Sequence, residues 1–438
     1  MNNETKKVLL FTYYWPPSGG AGVQRWLKFC KYLPEFNVKP TVVTVDEKCA
    51  SYPVQDSSFL LDISKELDVI KTKSFEPLNY YQKLSGRAQV PFAGFANETN
   101  KNWKHEVSRF IRGNFFIPDA RRGWNKYALA AGKQIIEAQQ IDTIITTSPP
   151  HSTQLIGLKL KEKYGLPWIA DLRDPWTDIY YYKKMNHTAL AKRIDASYEK
   201  QVLEKADKIV VVSEFIKHIF LQKSKAIEPN KIHVIPNGYD EEDFISVPTS
   251  LKKEKIIISY NGTLSADYPI KPFITALKEV IDRKPRLSII IQFTGSISED
   301  IKQYIKQIIP NNCSFNNHVP HKKSVEILLE SDILLLLIPD VLNNEGILTG
   351  KLFEYLAAEN PIICVGPKHG NAASIIAQCQ SGQTFEKHEI ESMAKYLKSL
   401  FVQISDQNSI KIENRLHEQY SRKSLSKTMA GLILNKSK

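Results

Sequence analysis

Lys351 and Glu354 stand one helical turn apart in Thr349-Gly350-Lys351-Leu352-Phe353-Glu354-Tyr355-Leu356-Ala357-Ala358, a turn that runs into a helix. Backbone N–H groups at such a helix start, with an ammonium beside them, suit a diphosphate, and a carboxylate one turn on suits the two hydroxyls of a ribose. An ordinary i to i+3 Lys–Glu pair would look the same in isolation. A second cluster, Asp171-Leu172-Arg173-Asp174-Pro175-Trp176, follows an apolar stretch of strand length and brings two carboxylates and a guanidinium together. Asp171 and Asp174 are therefore candidates for binding a substrate or handling its proton. His151, in Thr147-Ser148-Pro149-Pro150-His151-Ser152, holds the corresponding place after the preceding strand, although a lone histidine is more often structural than catalytic. Gly19, Gly20 and Gly22 follow the first strand and open a helix. Such a turn lets backbone approach a phosphate, or is simply a tight strand-to-helix connection; its spacing is neither GxGxxG nor a Walker loop.

These residues need a scaffold that ends strands at a common edge. Apolar runs of strand length alternate with amphipathic stretches of helix length: Val8 to Tyr13, Val23 to Leu33 and Thr41 to Val45, then Thr143 to Thr147, Trp168 to Leu172, Lys208 to Val212 and His233 to Ile235. This rhythm calls for parallel sheets with helical crossovers. It pauses at Asp240 to Lys255 and restarts with Ile256 to Tyr260, Leu287 to Thr294, Ile333 to Leu337 and Pro361 to Val365. The expected architecture is α/β, with two doubly wound Rossmann-like domains facing across a cleft and a boundary near residues 240 to 254. The domains are expected at 1–245 and 255–405, with helices over 406–438 crossing back to the first. Ser74 to Arg122 breaks the rhythm and reads as an insertion. It interleaves aromatic residues with Lys101, Lys104, Arg109, Arg112, Arg121 and Arg122, a mixture that suits either an anionic membrane interface or ordinary inward packing.

The composition excludes several classes. At 438 residues with 42% hydrophobic, 24% charged and 10% aromatic residues, the chain can bury sizeable cores and is neither disordered nor a disulfide-stapled miniprotein. Its longest aliphatic run, Ile333 to Ile338, falls far short of the roughly 20 residues of a membrane helix, and no secretory leader is expected. Five dispersed cysteines form no metal-ligand pattern, so reduced thiols in the cytoplasm, without structural zinc, are expected. The excess of 59 Lys and Arg over 47 Asp and Glu, +12, suits anionic partners.

SGGAGVQRW, DLRDPW, Val211-Val212-Ser213-Glu214, VIPNGYD, Tyr260-Asn261-Gly262-Thr263 and TGKLFEYLAAENPII, in this order along nearly the whole chain, resemble glycosyltransferase family 4, retaining enzymes of the GT-B fold. The resemblance implies a carboxyl-terminal domain that binds a nucleotide-sugar donor and an amino-terminal domain that binds the acceptor. It implies that Glu354 binds ribose, that Thr349, Gly350, Lys351 and Leu352 lie at the diphosphate with Asn261, Gly262 and Thr263 nearby, and that Gly19, Gly20 and Gly22 approach it from the first domain. Two positions depart from the family. A second glutamate expected eight residues before Glu354 is Gly346, with Glu345 beside it as a substitute, and the basic residue after the YxGT strand is absent unless Lys271 serves.

The implied reaction moves a sugar to an acceptor hydroxyl with retained anomeric configuration. Lys351, with Lys271 and helix amino termini, would stabilise the leaving diphosphate without a metal ion, since no DxD cluster follows a strand. His151, Asp171 or Asp174 would orient the acceptor or take its proton. A saccharide or lipid-linked acceptor in polysaccharide, lipopolysaccharide or related glycan assembly is expected, at the inner face of the cytoplasmic membrane. The rival readings are a nucleotide-sugar epimerase and a non-catalytic binding protein; nucleic acid is not expected as a partner, because its reader motifs are absent.

Overall fold

Strands that are apolar on both faces, each followed by a helix, build parallel sheets covered on both sides. The computed structural model describes residues 5–76, 103–245, 255–283, 287–407 and 410–435. The chain divides into two units, Met1–Pro236 together with Arg422–Lys438, and Asn237–Ser421.

Unit 1 holds a parallel sheet of β1 (Lys6–Phe11), β2 (Val38–Val45), β3 (Asp68–Thr72), β4 (Thr143–Ser148), β5 (Trp168–Leu172), β6 (Lys208–Val211) and β7 (Ile232–Val234), in the order β3-β2-β1-β4-β5-β6-β7. Its helices are α1 (Ala21–Tyr32), α2 (Trp103–Phe115), α3 (Asn125–Ala138), α4 (Gln154–Tyr164), α5 (Ala189–Lys205) and α6 (Glu214–Leu221). Thr188 and Ser213 start α5 and α6 by accepting from the N–H groups of Ala191 and Ile216, which satisfies one orphan donor at each helix end.

Unit 2 is a parallel sheet of β8 (Ile256–Asn261), β9 (Ile289–Thr294), β10 (Cys313–Asn316), β11 (Ile333–Leu337), β12 (Ile362–Val365) and β13 (Gly382–Phe385), ordered β10-β9-β8-β11-β12-β13. Its helices are α7 (Ile270–Arg283), α8 (Glu299–Ile308), α9 (His321–Glu330), α10 (Gly350–Ala357), α11 (Asn371–Gln378) and α12 (Ile390–Gln407). A last helix, α13 (Arg422–Leu434), belongs to unit 1, where Leu425, Met429, Ala430 and Ile433 join one core cluster with Val8, Leu10, Trp26 and Val42.

In each sheet the strand order reverses beside the first strand, between β1 and β4 and between β8 and β11. Ligands of open parallel sheets bind outside the carboxyl ends of strands at such switch points, so the loops after these four strands are the places to look. The division falls at Pro236/Asn237, ahead of the expected 240 to 254, and residues up to Ser421 stay with unit 2. Of the expected insertion, residues 77–102, Lys101 included, lie outside the described residues.

Candidate active site

The carboxyl end of β8 carries Gly262 at φ +120°, a conformation that favours glycine. A Cβ there would lie 3.0 Å from Lys351 Nζ, so the absence of a side chain leaves room for the ammonium. Lys351 sits in the first turn of α10, and its Nζ donates to Tyr260 Oη at 2.9 Å, 4.2 Å from the centre of the same ring and 5.7 Å from that of Tyr268. Tyr260 in turn donates its hydroxyl proton to the Thr263 carbonyl at 2.6 Å, and burial holds its pKa well above the usual value, which keeps that proton in place. Burial also pushes Lys351 down to about 7, partly offset by the Glu354 carboxylate.

Thr349 precedes α10 without capping it, its Oγ1 is buried without a hydrogen-bond partner among the described residues, and the first turn carries no acidic side chain. The start of α10 therefore presents a basic, uncapped end. Glu354, half-buried, faces His321 of α9, with 3.9 Å between Oε1 and Nδ1. Asn261 is a bracket: its N–H donates to Tyr355 Oη at 3.1 Å and its Nδ2 donates to Ser324 Oγ at 3.0 Å, tying β8 to α10 and α9. The structure thus gathers Tyr260 to Thr263, Thr349 to Leu352 and Glu354 around the end of β8. Lys271 does not join this hydrogen-bonded group; its ammonium lies over the Tyr304 ring on α8, 5.3 Å from the centroid. Glu345 is exposed on a single 3-10 turn, Asn344–Gly346, and Gly346 is buried.

In unit 1 the expected residues have unequal roles. Asp171 is 0% exposed, and both its oxygens are already engaged. Oδ1 accepts from Arg25 Nη2 at 2.9 Å, and Oδ2 accepts from Trp26 Nε1 and Thr147 Oγ1, each at 2.7 Å. A carboxylate so saturated anchors α1 to β4 and β5 and has little capacity left for an acceptor's proton. Arg173 joins the start of α1 to the end of β4: Nη1 donates to the Gly22 carbonyl at 2.6 Å and Nε to the Ser148 carbonyl at 2.9 Å. A Cβ at Gly22 would sit 3.1 Å from Arg173 Nη1, so a side chain there would crowd the guanidinium. Gly19 donates its N–H to the Val54 carbonyl at 2.9 Å, and Gly20, at φ +93°, precedes α1.

His151 stacks on Trp176, with ring centroids 4.7 Å apart at 14°, and its Nδ1 is buried without a partner among the described residues. Burial, with Arg173 second, lowers its pKa to about 3, so the imidazole is neutral at physiological pH. Asp174 is pushed above the usual carboxylate range by burial, with Arg173 opposing. Trp176 has φ +29°, an unusual conformation for a bulky residue, and donates its indole N–H to Asp195 Oδ1 at 2.8 Å. Asp195, also holding Tyr182 Oη at 2.9 Å, and Arg25 were not among the sequence candidates. Arg25 meets Asp171 from 146 residues away, and Asp195 meets Trp176 and Tyr182 from 19 and 13 residues away, pairs that no local motif announces.

The two parallel sheets with their crossover helices are those of the GT-B glycosyltransferase fold. Residues 87–243 match the model of Glycosyltransferase Family 4. Among solved structures, the chain is similar over 99% of both chains to a glycosyltransferase from Rickettsia africae, with 15% identity and a TM-score of 0.61. It is also similar to Anabaena Alr3699/HepE, solved with UDP-glucose, at 13% identity over 98% of this chain and 99% of that one, TM-score 0.55. WaaG, a glycosyltransferase involved in lipopolysaccharide biosynthesis, shares 15% identity over 97% and 99% of the chains, TM-score 0.52. None of the curated proteins compared matches the chain in sequence.

Proposed function

We propose that the protein is a retaining glycosyltransferase that takes a sugar from a nucleoside-diphosphate sugar and passes it to an acceptor hydroxyl in surface-glycan assembly. The observation that carries this reading is the pairing of Lys351 with Glu354 on the first turns of an uncapped helix at the switch point of unit 2. In this reading the Lys351 ammonium and the start of α10 hold the diphosphate as negative charge builds on it, so the electrostatic work rests with fixed donors and needs no metal ion. Glu354 accepts from the ribose hydroxyls. Neutral His151, whose Nδ1 has no partner among the described residues, suits the acceptor better than the saturated Asp171.

A lipid-linked acceptor at the cytoplasmic face of a membrane fits the same reading. Val107, Phe110, Ile111 and Phe115 fall on one face of α2 at helical spacing and are 47%, 43%, 43% and 73% exposed. No helix among the described residues is long and apolar enough to cross a membrane, so contact would be interfacial.

Thermal shift with a metal-free panel of nucleoside diphosphates and nucleotide sugars tests the donor site, because a ligand that binds only the folded state raises Tm. A rise for one base that disappears in Glu354→Ala is expected; no rise with any nucleotide at millimolar concentration overturns the reading. Co-sedimentation with anionic liposomes that persists after Phe110→Ser and Phe115→Ser together removes the membrane contact from it.

A further inference from the structure

An imidazole that meets a substrate is commonly aimed by a hydrogen bond on its second nitrogen, yet His151 Nδ1 is buried without a partner among the described residues. The backbone beside it is well anchored: Asp119 accepts from the Ser152 N–H and Oγ at 2.7 and 2.8 Å, and Asn125 Nδ2 donates to the Ser152 carbonyl at 2.7 Å. What meets the ring is the indole of Trp176, parallel within 14° and 4.7 Å away.

Trp176 is itself gripped. It is 2% exposed and opens the 3-10 turn Trp176–Asp178, which two acids one turn apart on α5 hold, Asp195 and Glu199, at 2% and 1% exposure. Asp195 Oδ1 accepts from the Trp176 indole at 2.8 Å, and its Oδ2 accepts from Tyr182 Oη at 2.9 Å. Glu199 Oε2 accepts from Thr177 Oγ1 at 2.6 Å. Burial raises both carboxylates above their ordinary range, so the grip costs stability at neutral pH. Trp176 also keeps φ at +29°, a strained conformation for a bulky residue. Buried carboxylates and backbone strain at one turn are what a fold retains where geometry serves function.

We propose that Trp176 is the positioning residue for His151, with Asp195 fixing the plane of the indole and Tyr182 holding Asp195. The proposal rests on the reading of His151 as the group that meets the acceptor hydroxyl. An indole bound through its N–H loses that bond when it tilts, so the imidazole stacked on it keeps one plane and its nitrogens keep one bearing.

The test measures turnover and a spectroscopic signature on the full chain. Release of nucleoside diphosphate from UDP-, ADP- and GDP-glucose is followed with water and glycerol as acceptors. The ring-proton resonances of histidine-labelled protein are recorded beside it, those of His151 being assigned by their loss in His151→Leu. Stacking on an indole places these protons upfield. Trp176→Leu and Asp195→Leu should move them back, whereas Asp195→Asn, which keeps an oxygen for the indole N–H, should leave them upfield. In the two Leu variants kcat should fall by about ten- to a hundredfold with KM for the nucleotide sugar within about twofold, and Asp195→Asn should recover most of the rate. If Trp176→Leu does not fold, Trp176→Phe, which keeps a ring without the N–H, takes its place with a smaller loss expected.

Because the effect runs through His151, His151→Leu combined with Asp195→Leu should be no slower than His151→Leu alone. Losses that multiply in the double variant, or His151 resonances that stay in place in Trp176→Leu, overturn the proposal. If His151→Leu turns over at the wild-type rate, the acceptor role of His151 fails and the positioning role with it. If wild type releases no nucleotide from any of these sugars, the transferase reading fails and the proposal falls with it.

Discussion

The ammonium of Lys351 lies 2.9 Å from Tyr260 Oη and 4.2 Å from the centre of that ring, so the cation is held on an aromatic face. A diphosphate beside it would favour the charged form, whereas burial lowers Lys351 to about 7. The sign follows from linkage: below pH 7 the lysine is already charged, and above it binding must take up a proton. Nucleoside-diphosphate affinity is therefore expected to fall above pH 7 by up to about tenfold per pH unit, with measurable proton uptake. Calorimetry in buffers of differing ionisation enthalpy checks this. Lys351→Arg, which stays charged, should remove the uptake even if it binds less well.

Gly262 keeps the space that Lys351 occupies. Gly262→Ala places a methyl group 3.0 Å from Nζ and strains a backbone at φ +120°, so both stability and binding should drop. A Tm loss corresponding to about 1–3 kcal/mol is expected from the backbone conformation. Binding of the preferred nucleoside diphosphate should fall further than the same Tm loss produces when placed at a surface site of unit 2.

Removing either partner of the Arg25–Asp171 pair strands a charge, since both side chains are 0% exposed. Asp171→Ala is expected to destabilise unit 1 by about 3–5 kcal/mol. Hydrogen exchange should show lost protection in β1, β4 and β5 with the sheet of unit 2 unaffected. Preserved stability would mean that the pair contributes nothing to the fold.

Asp195 carries the opposite sign from an ordinary salt-bridged carboxylate. Burial raises it to about 6 despite the bonds from Trp176 and Tyr182, so the folded state binds more protons than the unfolded one between about pH 4 and 6. Its contribution is greatest below the unfolded pKa and is lost as pH rises through 6. Asp195→Asn, which keeps an acceptor for the Trp176 indole, should raise stability at pH 7 to 8 by up to about 3 kcal/mol and show little difference from wild type near pH 4. Urea unfolding at the two pH values measures it.

The central strands were legible because they are apolar on both faces: the Trp168–Leu172 and Ile333–Leu337 segments are buried at every residue. The strands that sequence reading passed over, β3, β10 and β13, are all sheet edges with exposed or half-exposed positions, so no apolar run marks them. The site divides in the same way. Lys351 and Glu354 lie on one helix, where a three-residue spacing states that they share a face. Asp171 was legible as a carboxylate near a strand end, but its partner Arg25 comes from α1, 146 residues away, and only the fold brings the two together. The contact between His321 and Asp243 was hidden for the same reason, the two being 78 residues apart.

The seat of α13 has a consequence for how the protein is made. Met429 is 0% exposed in the core of unit 1, yet all of unit 2 is translated between the last strand of unit 1 and this helix. On the ribosome, the sheet of unit 1 must wait with an apolar groove uncovered while the whole of unit 2 emerges and can fold as an uninterrupted stretch. The nascent chain therefore stays aggregation-prone until α13 has emerged, and a premature stop just before Arg422 would leave unit 2 whole and damage unit 1.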